Sequence, residues 1–135
     1  TKHALPLLRK AATKKEPASV INLGSVSGLV APNLDVYAYT TSKAAVHHLT
    51  KHLALKLAKD HIRVNCIAPG FIPTKMSQGT LDVVGQRILD ATPLKRFGNN
   101  EDISAVTLLL ASNAGSWMTG VVLPLDGGTS IASHL

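Results

Sequence analysis

The sequence predicts an α/β fold built on a parallel sheet. Three short apolar runs, each compatible with a buried strand, alternate with two long segments of helical character. The order strand, helix, strand, helix, strand implies a parallel sheet joined by right-handed crossovers. With 45% hydrophobic residues, a chain of 135 residues can fill one core, so we expect a single domain over residues 1–135.

The first part of the chain predicts a helix end, a strand and a loop. Residues 2–12 have the pattern of the end of a helix. Residues 18–24 form a β-rich apolar run that ends in glycine, which indicates a buried strand. Residues 28–36 contain glycine, proline, asparagine and aspartate, and this composition is typical of a loop.

A long helix is predicted over residues 37–59. Ala45, Leu49, Leu53 and Leu57 lie on or near one stripe of that helix, while lysines occupy other positions. This stripe is the expected apolar face of the helix.

The later elements follow from similar signals. They are a strand over 62–68, an irregular stretch over 71–98 with a helix at 80–91, a helix over 101–113 and a strand over 121–125. Asn100 is the expected cap of the helix over 101–113, because asparagine is favoured at that position. Glu101 and Asp102 lie near the positive end of the helix dipole, where acidic residues are stabilising.

Tyr39, Lys43 and Ser25 form the pattern that points to chemistry. Tyr39 and Lys43 are four residues apart, so on a helix their side chains share one face. Ser25 follows the strand over 18–24, and open α/β sheets have their sites at the carboxyl ends of strands. A tyrosine hydroxyl, whose ordinary pKa is about 10, needs a nearby cation to become a useful proton donor at neutral pH. The trio suits proton transfer to a carbonyl oxygen.

Further motifs surround the trio in order along the chain. They are Asn-Leu-Gly-Ser-Val-Ser-Gly at 22–28, Ser-Lys-Ala-Ala-Val at 42–46, Ile-Arg-Val-Asn-Cys-Ile-Ala-Pro-Gly at 62–70 and Met-Thr-Gly-Val-Val-Leu-Pro-Leu-Asp-Gly-Gly at 118–128. Together they resemble the short-chain dehydrogenase/reductase family over essentially the whole chain. Within that family, residues 37–76 are most similar to 3-oxoacyl reductases, including the ketoreductase type of rhamnolipid synthesis.

The resemblance implies a Rossmann-like doubly wound parallel sheet, of which this chain is the C-terminal half. Family members open with a glycine-rich turn that holds the cofactor pyrophosphate at a helix N-terminus, and no such turn occurs here. The residue that would choose between NAD and NADP is also missing, so NADP is favoured by the resemblance alone. A complete small protein of this length is the alternative.

The resemblance also implies an activity: an NAD(P)-dependent interconversion of a ketone, 3-oxoacyl-like, and a secondary alcohol. The catalytic residues would be Ser25, Tyr39 and Lys43, with Ser27 near the substrate. The residues expected to contact the cofactor are Tyr39, Lys43, Pro69, Gly70, Ile72 and Thr74. Residues 71–91 would form a mobile substrate lid.

Several of these residues have a competing interpretation. Residues 69–74 could be merely a turn that ends the strand. Tyr37 could replace Tyr39, but the residue four positions after it is a threonine, so only Tyr39 has a lysine partner. Ser27 competes with Ser25, which occupies the family's catalytic position. His48 and His52 have a spacing that could hold a metal, but no third ligand accompanies them, so no metal site is expected.

The charge and composition of the chain limit the classes of partner that we expect. The net charge of +6 could suggest nucleic acid, but the basic residues are dispersed and aromatic residues are only 4%, so we expect no nucleic-acid partner. No apolar run is long enough for a membrane span. The single cysteine, Cys66, fits a reducing, cytoplasmic compartment. The expected partners are a small carbonyl or alcohol substrate and further copies of the chain.

Two hypotheses therefore stand. In the first, the parent protein is the oxidoreductase described above, a homo-oligomer (dimer or tetramer) that associates through helices 38–58 and 101–113. In the second, the chain is a non-catalytic half-domain, or a self-associating interaction module that binds no cofactor. An unpaired sheet edge and uncovered apolar faces would favour such association.

Overall fold

The computed structural model describes residues 1–132, apart from the side chains of residues 76, 78 and 80; the last three residues of the predicted domain, 133–135, lie outside it. The helices and strands, in chain order, are α1 (Leu5–Ala11), β1 (Ala18–Leu23), α2 (Tyr37–Leu57), β2 (Ile62–Pro69), α3 (Gln78–Ala91), α4 (Asn100–Ala111) and β3 (Val122–Leu125). Single 3-10 turns flank most of the helices. Every predicted strand and helix is present, and the bounds differ from the prediction by a few residues.

The three strands form one parallel sheet in the order β1-β2-β3. In the register, Ala18 pairs with Ile62 and Cys66 pairs with Val122. All three strands therefore end at the same edge, and the segments that follow them meet there. The α/β prediction and the parallel sheet are confirmed.

One face of the sheet packs against α2 and α1. Ile62 and Val64 of β2 form a buried cluster with Ala54 and Leu57 of α2. Leu5 and Leu8 of α1, together with Ala18 and Val20 of β1, pack against the edge of this cluster. Even-numbered positions of both strands thus face α2, as the alternation of side chains along a strand requires.

Odd-numbered positions face α4 on the other side. The buried guanidinium of Arg63 donates to the carbonyl of Leu110 at 2.8 Å, and the Ser19 hydroxyl donates to the same carbonyl at 2.9 Å. This carbonyl belongs to the last turn of α4, where carbonyls have no partner within the helix and a cation is favourable. Asn65 donates to the Met118 carbonyl at 2.8 Å and accepts from the backbone N–H of Val121 at 3.1 Å.

The two crossovers have opposite hands. The strand order moves in the same direction from β1 to β2 and from β2 to β3, yet α2 and α4 lie on opposite faces of the sheet. Two crossovers with the same direction can share one hand only if their helices lie on one face. The prediction of right-handed crossovers is therefore wrong for one of them. The connection over 70–99, which includes α3, is long enough for the chain to change faces.

The apolar face predicted for α2 is partly wrong. Its fully buried residues are His47, Thr50, Ala54 and Leu57. Ala45 and Leu49 of the predicted stripe are exposed, with 50% of Leu49 accessible. The error has a physical cause: two positions on the buried face are polar and find hydrogen-bond partners there, so hydrophobicity alone does not locate that face.

The cap of α4 is Asn99, not Asn100. The Asn99 side chain accepts from the backbone N–H of Asp102 at 2.9 Å, and the Asp102 carboxylate accepts from the backbone N–H of Asn99 at 2.9 Å. This reciprocal pair satisfies two backbone donors at the start of the helix. The Arg96 guanidinium also lies 2.7 Å from the Asp102 carboxylate. Its hydrogen bond to this carboxylate lowers the pKa of Asp102 to about 2.

Within residues 1–132, no helix combines the length and the apolar character needed to cross a bilayer.

The cap predicts unequal effects for two adjacent asparagines. Asn99→Ala should lower the free energy of unfolding by about 1 kcal/mol, since one helix donor loses its partner. Asn100→Ala, with an exposed side chain inside the helix, should change it by less than about 0.5 kcal/mol. Urea denaturation of both variants compares them, and equal losses would contradict the assignment of Asn99 as the cap.

Candidate active site

Ser25 lies in a tight turn that follows the carboxyl end of β1. Its side chain is buried, and its hydroxyl oxygen accepts from the backbone N–H of Ser27 at 3.2 Å. Its carbonyl accepts from the backbone N–H of Gly28 at 3.0 Å, which closes the 3-10 turn Val26–Gly28. Ser25 therefore caps this turn at the edge of the sheet where the sequence predicted a site.

Tyr39 and Lys43 lie on the first two turns of α2. The Lys43 Nζ is 5.6 Å from the centre of the Tyr39 ring, and it donates to the carbonyl of Leu23, the last residue of β1, at 3.1 Å. Almost half of the Tyr39 side chain is accessible. The predicted lysine–tyrosine pair thus forms beside the turn that holds Ser25.

Tyr37 has a different environment. Its hydroxyl donates to the Asp35 carboxylate at 2.9 Å, and 74% of the residue is exposed. Of the two tyrosines, Tyr39 is the one that Lys43 covers, in agreement with the spacing.

His47 is a site residue that the sequence analysis missed. It lies at 5% exposure, and its Nε2 accepts from the backbone N–H of Ser25 at 3.4 Å. Burial lowers the pKa of His47 below its usual value; the backbone of Gly28 acts in the opposite direction, and Lys51 and Lys43 lower the pKa further. The signal was available in the spacing, because His47 follows Lys43 by four residues and Tyr39 by eight.

Two glycines let the Ser25 turn approach α2. A Cβ atom on Gly24 would lie 2.2 Å from His47 Nε2 and 2.8 Å from Cys66 Sγ. A Cβ atom on Gly28 would lie 2.7 Å from the backbone nitrogen of Ala44. These distances are far below van der Waals contact, so the turn can lie against the helix only because both side chains are absent.

The predicted cofactor segment follows the carboxyl end of β2. Pro69 ends the strand, and the backbone N–H of Gly70 donates to the Leu125 carbonyl at 2.9 Å. A Cβ atom on Gly70 would lie 2.7 Å from Cα of Asp126. The carbonyl of Phe71 accepts from the backbone N–H of Gly98 at 3.1 Å. The segment is thus bonded to β3 and to the chain preceding α4.

Ile72 and Thr74 lie farther along the same segment. The Ile72 side chain packs against Gly98, and no described residue pairs with the backbone N–H or carbonyl of Ile72. The Thr74 hydroxyl lies 3.2 Å from the Ser77 hydroxyl, and the Ser77 hydroxyl donates to the Thr74 carbonyl at 3.1 Å. Thr74 therefore helps to start the helical segment that leads into α3.

The predicted lid, residues 71–91, consists of this segment, a 3-10 turn and α3. Val83 of α3 is 82% exposed, and the helix makes few contacts with the sheet. After α3, the backbone N–H of Leu94 donates to the Gly127 carbonyl at 3.1 Å, which attaches this end of the segment to the chain that follows β3. The segment is thus attached to the rest of the structure at both ends. Its movement stays a prediction.

His48 and His52 are both exposed on α2. Among the residues that the structure describes, no group of three histidine, cysteine, aspartate or glutamate side chains is arranged to hold a metal ion.

Comparison with known proteins places this geometry in a family. The family model described as enoyl-(acyl carrier protein) reductase matches residues 1–130. The chain belongs to the short-chain dehydrogenase/reductase family. The resemblance inferred from the motifs is confirmed.

Relatives in this family include enzymes with different substrates. The rhamnolipids biosynthesis 3-oxoacyl-[acyl-carrier-protein] reductase of Pseudomonas aeruginosa is 44% identical over 126 residues, which cover 92% of this chain and 49% of the relative. The galactitol 2-dehydrogenase (L-tagatose-forming) of Cereibacter sphaeroides is 38% identical over 126 residues, covering 90% and 49%. The chain spans about half the length of the curated relatives it matches.

A solved structure of the family has the same fold. The Pseudomonas aeruginosa RhlG/NADP active-site complex superposes with a TM-score of 0.88 and 42% sequence identity, covering 96% of this chain and 53% of that one. The Rossmann-like, doubly wound fold class is therefore confirmed for the part of the family fold that this chain contains.

The close approach of the Ser25 turn predicts a large effect at Gly28. Gly28→Ala should lower the free energy of unfolding by about 1–3 kcal/mol, because the new methyl group meets backbone atoms of α2 that cannot move aside. Gly79→Ala is the matched control: its Cβ meets no atom within 4 Å, and alanine favours the helix. Urea denaturation should show a loss only for Gly28→Ala; an equal response would refute the close contact.

Proposed function

We propose that the protein containing this chain is an NAD(P)-dependent oxidoreductase that interconverts a ketone and a secondary alcohol. The observation behind this proposal is that Lys43 covers Tyr39 and bonds the carboxyl end of β1, two residues before Ser25. The strand and the helix thereby present three hydroxyl or ammonium groups at one edge of the sheet. Such groups can donate hydrogen bonds to a substrate carbonyl oxygen and supply the proton that this oxygen gains.

Tyr39 is the proposed proton donor. A bound nicotinamide would supply the hydride to the carbonyl carbon, and the Tyr39 hydroxyl would give its proton to the carbonyl oxygen. The exposure of almost half of this side chain is consistent with access to a substrate. In the oxidative direction, the tyrosine takes the proton back.

Lys43 would stabilise the negative charge that develops on the Tyr39 oxygen while its proton is transferred. By the family pattern, Lys43 also bonds the nicotinamide ribose. An ammonium has three donors, and one of them is directed at the Leu23 carbonyl. The remaining donors are free to meet ribose hydroxyls.

Ser25 would hold the substrate oxygen and share its developing negative charge. Ser27 would contact the substrate: it lines a groove of about 250 Å³ with Leu29, Val30 and Ala31 on one side and the start of α2 on the other. Three apolar side chains suit an aliphatic substituent next to the reacting carbonyl. The 3-oxoacyl substrate is proposed from the similarity to the 3-oxoacyl-[acyl-carrier-protein] reductase of rhamnolipid biosynthesis, which is 44% identical over 126 residues.

Residues 69–74 would contact the nicotinamide end of NADP or NAD. The backbone N–H and carbonyl of Ile72, with which no described residue pairs, offer one donor and one acceptor to a carboxamide. Pro69 and Gly70 fix the direction of the segment, while Thr74 supplies a nearby hydroxyl. Residues 71–91 would close over the substrate. The bound NADP of the RhlG complex supports NADP as the first cofactor to test.

The Tyr39 proposal predicts a specific loss of turnover. In the full-length protein, Tyr39→Phe should lower kcat for NADPH-dependent reduction of a 3-oxoacyl thioester on the order of 10²- to 10⁴-fold, because the transferable proton is removed. NADPH affinity should change little. Steady-state kinetics and cofactor fluorescence measure the two quantities.

Tyr37→Phe is the matched control, since its hydroxyl bonds Asp35 on the surface. It should retain kcat within about threefold, the range expected of a surface substitution. Near-normal turnover of Tyr39→Phe would remove Tyr39 from the mechanism.

The alternative is a half-domain without cofactor binding. It is favoured by the position of β1, which has no partner on its outer side within residues 1–132, and by the 59% exposure of Leu23 at its end. An unpaired strand edge and exposed apolar residues promote association. Self-association would also use the exposed leucines of α2 and α4, Leu55 and Leu108. A homo-oligomer and a cytoplasmic location stay predictions.

A titration of residues 1–135 alone separates the two hypotheses. Nicotinamide and ribose contacts without a pyrophosphate site are a small part of dinucleotide binding. We expect NADPH to bind this chain no tighter than about 1 mM, with no ketone reduction. Cofactor fluorescence on material of verified mass is the measurement. Micromolar binding would show that the site is complete within these residues.

A further inference from the structure

We propose that His47 is a positioning residue that fixes Ser25 relative to Tyr39. The inference rests on the proposed function, because its purpose is to keep the serine hydroxyl and the tyrosine hydroxyl on one substrate oxygen. No step of the proposed reaction uses His47, yet it is a polar side chain at 5% exposure directly behind the Ser25 turn.

The first support is the hydrogen bond. His47 Nε2 accepts from the backbone N–H of Ser25 at 3.4 Å, and this nitrogen can accept only while it has no proton. Without the imidazole, the Ser25 N–H would be buried without a partner, which is unfavourable. The bond therefore connects the backbone of the serine directly to α2.

The second support is packing. Cβ atoms built on Gly24 and Gly28 would lie 2.2 Å from His47 Nε2 and 2.8 Å from its Cε1. The ring thus fills the space between the two glycines at the ends of the turn, and Ser25 lies between them. A smaller side chain at position 47 would leave a void there, so the turn could shift.

The third support is the position of His47 on α2. Tyr39, Lys43 and His47 are spaced by four residues, so they share one stripe of the helix. Lys43 bonds Leu23 and His47 bonds Ser25, two contacts on the same stripe with the strand end and its turn. Because the helix is rigid, these contacts set the separation between Ser25 and Tyr39.

The charge state of the ring is compatible with this role. Burial lowers the pKa of His47, so the neutral ring prevails at neutral pH and keeps its acceptor. The charged groups that act on it, Lys51 and Lys43, disfavour protonation further. Cys66, on the other side of Gly24, is a neutral thiol, since burial raises its pKa.

The test compares two substitutions in the full-length protein. His47→Leu keeps an apolar bulk but removes the acceptor, whereas His47→Gln offers an oxygen that can accept from Ser25. We expect His47→Leu to lower kcat on the order of 10- to 100-fold, since small displacements of catalytic groups have effects of this size. NADPH affinity should be retained, and His47→Gln should recover most of the activity.

A double substitution isolates the route of the effect. If His47 acts through Ser25, then His47→Leu in a Ser25→Ala background should lower kcat by no more than about threefold, since the group it positions is already gone. If the kcat losses of His47→Leu and Ser25→Ala multiply fully in the double variant, the proposal is overturned.

Thr50→Val is the control for a merely structural role. Thr50 is fully buried on the same helix and accepts from Asn22 at 2.9 Å, away from the Ser25 turn. It should lose stability and keep kcat. If Thr50→Val lowers kcat as much as His47→Leu at the same loss of stability, His47 has no positioning role.

A readout without activity separates this inference from the proposed function. Hydrogen exchange at the Ser25 amide should be faster in His47→Leu than in the unsubstituted protein. In His47→Gln the exchange rate should return towards that of the unsubstituted protein. If the unsubstituted full-length protein reduces no ketone, the proposed function is wrong. The exchange result still decides whether His47 holds Ser25. Unchanged exchange in His47→Leu would overturn the inference.

Discussion

The central strand β2 is the constraint on which the rest of the structure depends. Its even positions face α2 and its odd positions face α4, so a shift of one residue would exchange the two faces. Arg63 would then leave the Leu110 carbonyl and enter the apolar cluster around Val64. A buried guanidinium without partners is strongly unfavourable. The register is thus fixed by the hydrogen bonds of buried polar side chains on one face and by apolar packing on the other.

The register also places the site. When Leu23 pairs with Ile67 and Pro69 pairs with Leu125, the chain leaves all three strands at one edge. Ser25 follows β1 there, and Gly70 follows β2. Tyr39 comes to the same edge because α2 begins near the end of β1, with Lys43 bonded to Leu23. The reactive groups therefore converge through backbone topology, and few side-chain contacts are needed to bring them together.

The sequence was sufficient for the elements and the tyrosine–lysine pair, since both depend on local spacing. It was insufficient where a polar residue has a partner far along the chain. His47 and Thr50 are buried on α2 through bonds to Ser25 and Asn22, so the apolar stripe through Leu49 was misplaced. The prediction for one of the two crossovers was wrong for a related reason: the face on which α4 packs depends on long-range bonds, such as that from Arg63 to the Leu110 carbonyl.

The same reasoning explains why a histidine belongs beside Ser25. An apolar residue at position 47 would fill the space between Gly24 and Gly28, but it would leave the Ser25 N–H unpaired. A lysine would bring a charge into a buried site beside Lys43, where the repulsion and the burial both oppose it. A neutral imidazole combines a flat ring, which fits between two glycines, with an acceptor directed at one backbone donor. The Nδ1–H of this tautomer is buried and has no partner among the described residues, so the shape of the ring and its Nε2 acceptor are what favour histidine at this position.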